Sequence, residues 1–249
     1  MITQESQKRN KNNKPRILIG APQSDVKNYC FDEWLDNIKK LAYPEELIKI
    51  YLADNSSSPN NFRNFTRKKH IKGSYIYGGG GRTILERMTD SHNAVRKYCL
   101  DNDFDYLLHL ETDIFPENMF IIDMLLAHRK KVVGVPYFIG QGIERRLCVM
   151  NMDETSRQFK LSYMCPDLDM QYYDGSIQKC HAAGVGCALI HRSVLEKIEF
   201  RYDKNLVAHP DTYFYIDCML NNIPVFVDTG LYVKHKNETQ WGEFGRDWK

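Results

Sequence analysis

Short apolar runs, each closed by glycine, proline or small polar residues, alternate along this chain with stretches whose apolar residues recur at helical spacing. That rhythm restricts the fold to layers of helix over a mostly parallel, doubly wound sheet. ILIGAP (Ile17 to Pro22) reads as a buried strand, and Tyr29–Leu41 as a helix with Phe31, Trp34, Leu35, Ile38 and Leu41 on one face. LIKIYLADNSSSP gives a second strand stopped by turn formers, and SYIYGGGG a short third one. Arg82–Cys99 carries Leu85, Met88, Val95 and Cys99 at helical spacing and leads into the strand of DYLLHLETD. A helix over Phe120–His128 and a strand in KVVGVPYF follow. Residues 141–180 lose the rhythm and read as β-hairpins and loops laid over the sheet. It returns in GVGCALIHRSVLEKI, TYFYIDCMLNN and IPVFVD. The expectation is an α/β fold in one domain over residues 15–237, with polar tails at 1–14 and 238–249.

Composition narrows the function less than the order of elements does. The chain has 249 residues, 43% hydrophobic and 27% charged, which suits an ordinary globular domain with a sizeable core. A formal net charge of +2 does not by itself imply nucleic-acid binding. Seven cysteines without a CxxC pair argue against a disulfide framework or a zinc ribbon and favour a reducing, cytoplasmic setting. MITQESQKRNKNNKP has no apolar signal core, and no apolar run reaches the roughly 18 residues of a membrane-spanning helix. The basic stretch at 61–72 reads as a solvated helix or loop.

The sharpest chemical signal is LLHLETDIFPEN. Glu111 and Asp113 follow an apolar strand at its carboxyl end, where open α/β sheets collect their ligands. Residues i and i+2 of an extended chain point the same way, and two such carboxylates repel unless a cation lies between or beside them. A hard divalent ion held there keeps positions open for phosphate oxygens. The same acids could instead cap the next helix. His235 stands at the end of the strand in LYVKHKN; it could complete such a site or serve as a structural histidine. Asp211, in HPDTYFYIDCMLNN, suits a helix N-cap as well as a catalytic role, and Asp217 a solvated or paired one.

Taken in order, these segments resemble the GT-A glycosyltransferases, in particular the family-2-like group. The ends of ILIGAP and ADNSS are similar to the two strands that hold the nucleoside, with Ala21 and Pro22 on the first and Asp54 matching the acid that contacts base or ribose. SHNAVRKYCLDNDFDYLLHLETD resembles the helix and strand before the DxD motif. Glu111 replaces its first Asp, and Asp113 matches the direct metal ligand. Asn93 sits where the group has an Arg-Asn pair near phosphate, with His92 in place of the arginine. AAGVGCALIHRSVLEKI is similar to the small-residue segment on the acceptor side. HPDTYFYIDCMLNNIPVFVDTGLYVKH resembles the closing stretch, in which Asp211 matches the general base and His235 the histidine ligand, with Pro210 in place of the usual Glu.

The resemblance implies a metal-dependent, inverting hexosyltransferase-type enzyme. It would take a nucleoside-diphosphate sugar as donor, Mn2+ or Mg2+ as the divalent metal, and a hydroxyl of a sugar, a glycan or a modified nucleic acid as acceptor. Glu111 would act through a water or the ribose. Tyr137, Tyr163, Tyr172 and Tyr173 could stack on a sugar or base, and the basic segment Arg67–Lys72 leaves a polyanionic acceptor open. Two other readings remain at this level. Gly78–Gly81 with Arg82 would suit a sugar-nucleotide pyrophosphorylase, whose glycine-rich loop follows the first strand instead of the third. A nucleotide-sugar-binding module without catalysis is the other.

Overall fold

The apolar runs become strands and the periodic segments helices, as their spacing dictates. The computed structural model describes residues 14–77, 81–139, 146–152, 161–163, 175–204, 208–237 and 240–241. In chain order these form β1 (Ile17–Gln23), α1 (Phe31–Ile38), β2 (Ile48–Asp54), α2 (Asn60–Lys68), β3 (Lys72–Tyr75), α3 (Ile84–Asp101), β4 (Tyr106–Leu110), β5 (Ile114–Pro116), α4 (Ile121–Ala127) and β6 (Val132–Gly134). There follow β7 (Phe138–Ile139), β8 (Arg146–Leu147), β9 (Val149–Met152), β10 (Leu161–Tyr163), β11 (Ile177–Cys180), β12 (Ala182–Ala183) and β13 (Cys187–His191). The last are α5 (Arg192–Leu195), α6 (Pro210–Leu220), β14 (Val225–Asp228), β15 (Val233–Asn237) and β16 (Gln240–Trp241).

Eight strands make the main sheet in the order β11-β14-β6-β13-β4-β1-β2-β3. The run β4-β1-β2-β3 is parallel, as is β6 with β14. β13 runs antiparallel to both its neighbours, and β11 to β14. The sheet is thus mostly parallel, with reversed strands confined to its second half. Side chains alternate across it: Leu18 and Leu107 join one buried cluster with Val95 and Cys99 of α3 and Phe214 of α6. Ile17, Ile19, Leu108 and Leu110 join the other, with Phe31, Trp34, Leu35 and Ile38 of α1, Phe65 of α2 and Ile122 of α4. Phe65 turns the basic 61–72 segment into a packed helix. In the irregular region, β10, β9 and β12 form a small antiparallel sheet and β7 pairs with β8, in keeping with hairpins over the main sheet.

Two local devices hold the helices in place. A capping box opens α3: Thr83 Oγ1 accepts from Glu86 N at 3.2 Å, and Glu86 Oε2 accepts from Thr83 N at 2.8 Å. Gly20 of β1 lets α3 lie close, since a Cβ there would come 2.6 Å from Val95 Cγ1. β16 pairs with β15, so part of the expected C-terminal tail continues a sheet. The six described cysteines are free and buried, and among the described residues no helix is long and apolar enough to cross a membrane.

Candidate functional site

β1 and β4 are parallel neighbours, with Gly20 opposite His109. The winding of the sheet reverses between them, so their carboxyl ends flank the place where open α/β sheets form a crevice. After β1 the chain makes a single short turn of helix, Asp25–Lys27, which carries Lys27 to this edge. After β4 it bends tightly, with Ile114 N donating to Glu111 O at 3.0 Å, and continues as β5. Glu111 and Asp113 therefore converge through a turn, and the extended chain expected from the i, i+2 spacing is absent. Thr112, between them, points elsewhere and donates to Gln23 Oε1 at 2.5 Å.

A cation does stand between the two carboxylates, and the protein supplies it. Lys27 Nζ donates to Glu111 Oε2 at 2.7 Å and to Asp113 Oδ1 at 2.9 Å. Burial opposes the charge on Lys27, but the two acids outweigh it and raise its pKa well above the ordinary lysine value. Burial likewise opposes ionisation of Glu111, and Lys27 and then His109 outweigh it, holding the carboxyl well below its usual range.

β15 pairs with β5 in a register that sets His235 opposite Ile114, and Lys236 N donates to Asp113 O at 2.8 Å. His235 Nδ1 lies 2.9 Å from Phe138 O. A carbonyl can only accept, so Nδ1 carries the proton and the neutral ring keeps its lone pair on Nε2. That Nε2 faces Asp113 Oδ2 at 3.6 Å. Burial lowers the His235 pKa; the adjacent Asp113 carboxylate outweighs it, and the net shift is upward. Among the described residues no three His, Cys, Asp or Glu side chains converge as a ready-made metal cage. Asp113 and His235 nevertheless fit a divalent ion: ligands about 2.1 Å from one ion can stand this far apart, and both present acceptor atoms to the same gap.

Asp211 lies in the first turn of α6; the N-cap is His209, with Pro210 as the first helical residue. The N-cap alternative for Asp211 is therefore not what the fold uses. Its Oδ1 accepts from Thr212 N at 2.7 Å and meets His209 Nδ1 at 2.9 Å. Burial lowers the His209 pKa, but the bond to Asp211 and its charge outweigh it and move it up. Asp217 takes its bland alternative, gripping Arg201 through two bonds of 2.7 and 2.9 Å.

Asp54 ends β2 beside Gln23 of β1 and is fully buried. Its Oδ1 accepts from Ser56 N at 2.9 Å and Ser56 Oγ at 2.5 Å, while Oδ2 is buried with no hydrogen-bond partner. Arg87 of α3 donates to Asn55 O at 2.7 Å and braces this turn. Ala21 and Pro22 lie within β1, buried, in register with Leu52 and Ala53 of β2. Asn93 is placed differently: its Nδ2 donates to Phe200 O at 2.8 Å and its Oδ1 accepts from Phe200 N at 2.9 Å. It clamps α3 to the 200 segment and does not join the acidic cluster.

The small-residue segment has a packing reason of its own. A Cβ on Gly184 would come 2.1 Å from Tyr137 Oη, and Gly186 N donates to that oxygen at 3.2 Å. Tyr137 is thus a buried wall residue, edge-on to His235, instead of an exposed stacking platform. Tyr172 and Tyr173 fall outside the described residues, as do Gly78–Gly80 and the side chain of Tyr163. Arg82 is occupied by Asp90 and by Tyr77 O. Lys27, His209 and Arg87 were not singled out by sequence reasoning; only the position of Lys27 in the loop after β1, GAPQSDVK, marks it as a residue of the edge.

No protein-family model matches the chain, and no curated protein matches it in sequence. Solved structures match it in fold. TarS of S. aureus superposes with a TM-score of 0.52 at 15% identity, over 85% of this chain and 35% of that one. TarS 1–349 in complex with UDP-GlcNAc gives 0.52 at 15%, over 85% and 55%. The mannosyltransferase PcManGT from Pyrobaculum calidifontis, in complex with GDP-Man and Mn2+, gives 0.52 at 13%, over 88% and 58%. The chain thus spans between a third and three-fifths of the length of these proteins. It has the α/β fold of these glycosyltransferase structures, a large and mostly parallel sheet flanked by helices.

Proposed function

We propose that this chain is a glycosyltransferase that moves a sugar from a nucleoside-diphosphate sugar to an acceptor hydroxyl, with a divalent metal, Mn2+ or Mg2+, at Asp113 and His235. The observation that carries the reading is the meeting of Asp113, His235 and Glu111 at the switch point of the sheet. It is supported by the fold shared with structures that hold UDP-GlcNAc or GDP-Man with Mn2+.

Asp54 Oδ2 is an unpaired buried acceptor at the neighbouring strand end, suited to an N–H of the base or a ribose hydroxyl. Ala21 and Pro22, near the end of the adjoining β1, would lie beside that nucleoside. Asp113 and His235 would hold the metal, and Glu111 would bond a water or the ribose beside it. The bound metal supplies charge stabilisation to the departing diphosphate. Asp211 takes the proton of the acceptor hydroxyl as the sugar carbon is attacked from the side opposite the diphosphate, which inverts the anomeric centre. His209, bonded to the same carboxylate and 42% exposed, passes that proton to solvent.

The direct test is the product released from UDP- and GDP-sugars by the purified protein with Mn2+. Nucleoside diphosphate is expected. Consumption of sugar phosphate and nucleoside triphosphate with release of pyrophosphate would overturn the assignment.

A further inference from the structure

Lys27 and His235 meet the same carboxylate from two sides: Lys27 Nζ bonds Asp113 Oδ1, and His235 Nε2 faces Asp113 Oδ2, so an ion held by Asp113 and His235 shares that carboxylate with the ammonium. The ammonium spends two of its three donors on the Glu111–Asp113 pair, at 2.7 and 2.9 Å, and the three side chains are only 25%, 21% and 8% exposed. Together they carry one net negative charge. A divalent cation added alone would face the ammonium across the Asp113 carboxylate, at a separation where like charges repel strongly in a partly buried setting. Lys27 sits at the end of a single helical turn on a flexible four-carbon stem, so it can leave the pair without disturbing β1. It needs a new anionic partner when it does, because a half-buried ammonium without one is costly.

We propose, building on the metal-site reading above, that Lys27 and the metal compete for the Asp113 carboxylate. The ammonium displaced by the metal transfers to the diphosphate of the nucleotide. Metal and nucleotide then bind as a coupled pair: each is weak alone, and each raises the affinity of the other by the same factor. Until the nucleotide arrives, Lys27 keeps the carboxylates together as their internal counter-ion.

The experiment is Mn2+ binding, read from the electron paramagnetic resonance of free Mn2+, with and without UDP or GDP. Wild type is expected to bind Mn2+ alone weakly and to gain about tenfold or more with the preferred nucleotide. Lys27→Met is expected to bind Mn2+ alone about tenfold tighter and to lose most of that gain. Lys27→Gln removes the charge but keeps a side chain that can hydrogen-bond the carboxylates, so it decides the matter should Lys27→Met fail to fold, and the same increase is expected. If neither variant binds Mn2+ alone better than wild type, while Asp113→Asn still abolishes binding with nucleotide, the competition is wrong and the metal site stands. If no protein binds Mn2+ with or without either nucleotide, both fall.

Discussion

His235 Nε2 and Asp113 Oδ2 face each other across 3.6 Å, too far for a hydrogen bond and close enough to share an ion. The Phe138 carbonyl fixes the tautomer that makes this possible. Replacing His235 by alanine removes one donor and leaves Asp113. Mn2+-dependent binding of a nucleoside diphosphate should weaken by ~10-fold or more, the scale seen when support for a metal site is lost. Affinity measured without metal should stay the same. Equal loss under both conditions would assign His235 a structural role.

Asp211 is bonded to His209 and to the Thr212 amide. Asp211→Asn should leave donor affinity intact and lower transfer by roughly a hundredfold, the scale of general-base loss. Because His209 is the N-cap residue, the same change should cost no more than the His209 pairing and leave the protein folded. Near-normal turnover in the folded variant would remove Asp211 from the catalytic residues.

The raised pKa of His209 gives a pH signature. A histidine whose folded pKa lies above its unfolded value stabilises the protein fully below the unfolded value of about 6.5 and loses that contribution as pH rises through the folded one. His209→Gln should therefore flatten the thermal-stability profile above about pH 6.5, and it should slow turnover less than Asp211→Asn does. A wild-type melting profile unchanged by the substitution would contradict the pairing.

Asn93 offers a control. Its two bonds to the Phe200 backbone predict that Asn93→Ala costs about 1–3 kcal/mol, since a buried backbone pair loses its partners. Nucleotide affinity should not change. A loss of affinity without loss of stability would restore the phosphate contact implied by the resemblance.

Gly184 tests the packing around Tyr137. A methyl there collides with Tyr137 Oη, so Gly184→Ala should destabilise by about 1–3 kcal/mol, the cost of overpacking. Tyr137→Leu in the same chain should recover part of it. Calorimetric melting of the wild type and the two variants checks both statements.

The fold was readable because strand and helix periods differ. Phe31, Trp34, Leu35 and Ile38 mark one helical face, and ILIGAP and DYLLHL mark buried strands, with no long-range information needed. The carboxylates were readable because they close such a strand. Lys27 was not, since its meeting with Glu111, 84 residues away in sequence, depends on β1 and β4 becoming neighbours. His209 is not legible in HPD, because only the first turn of α6 brings its ring onto the Asp211 carboxylate. Asn93 was placed near phosphate by motif alone, and the position of Phe200, 107 residues away, decides what its amide binds. Tyr137 looked like a platform because an aromatic in a loop reads as available, whereas the glycines at 184 and 186 draw it into the wall.

The central claim is that Asp113 holds a metal that in turn holds a diphosphate. Calorimetric titration of UDP and GDP into wild type and Asp113→Asn, each with and without Mn2+, measures it most directly. One nucleotide should bind wild type at least about tenfold tighter with Mn2+, and the substitution should erase that difference while the protein stays folded. Equal affinity with and without Mn2+ in wild type, or a metal-dependent gain that survives in Asp113→Asn, would contradict the account.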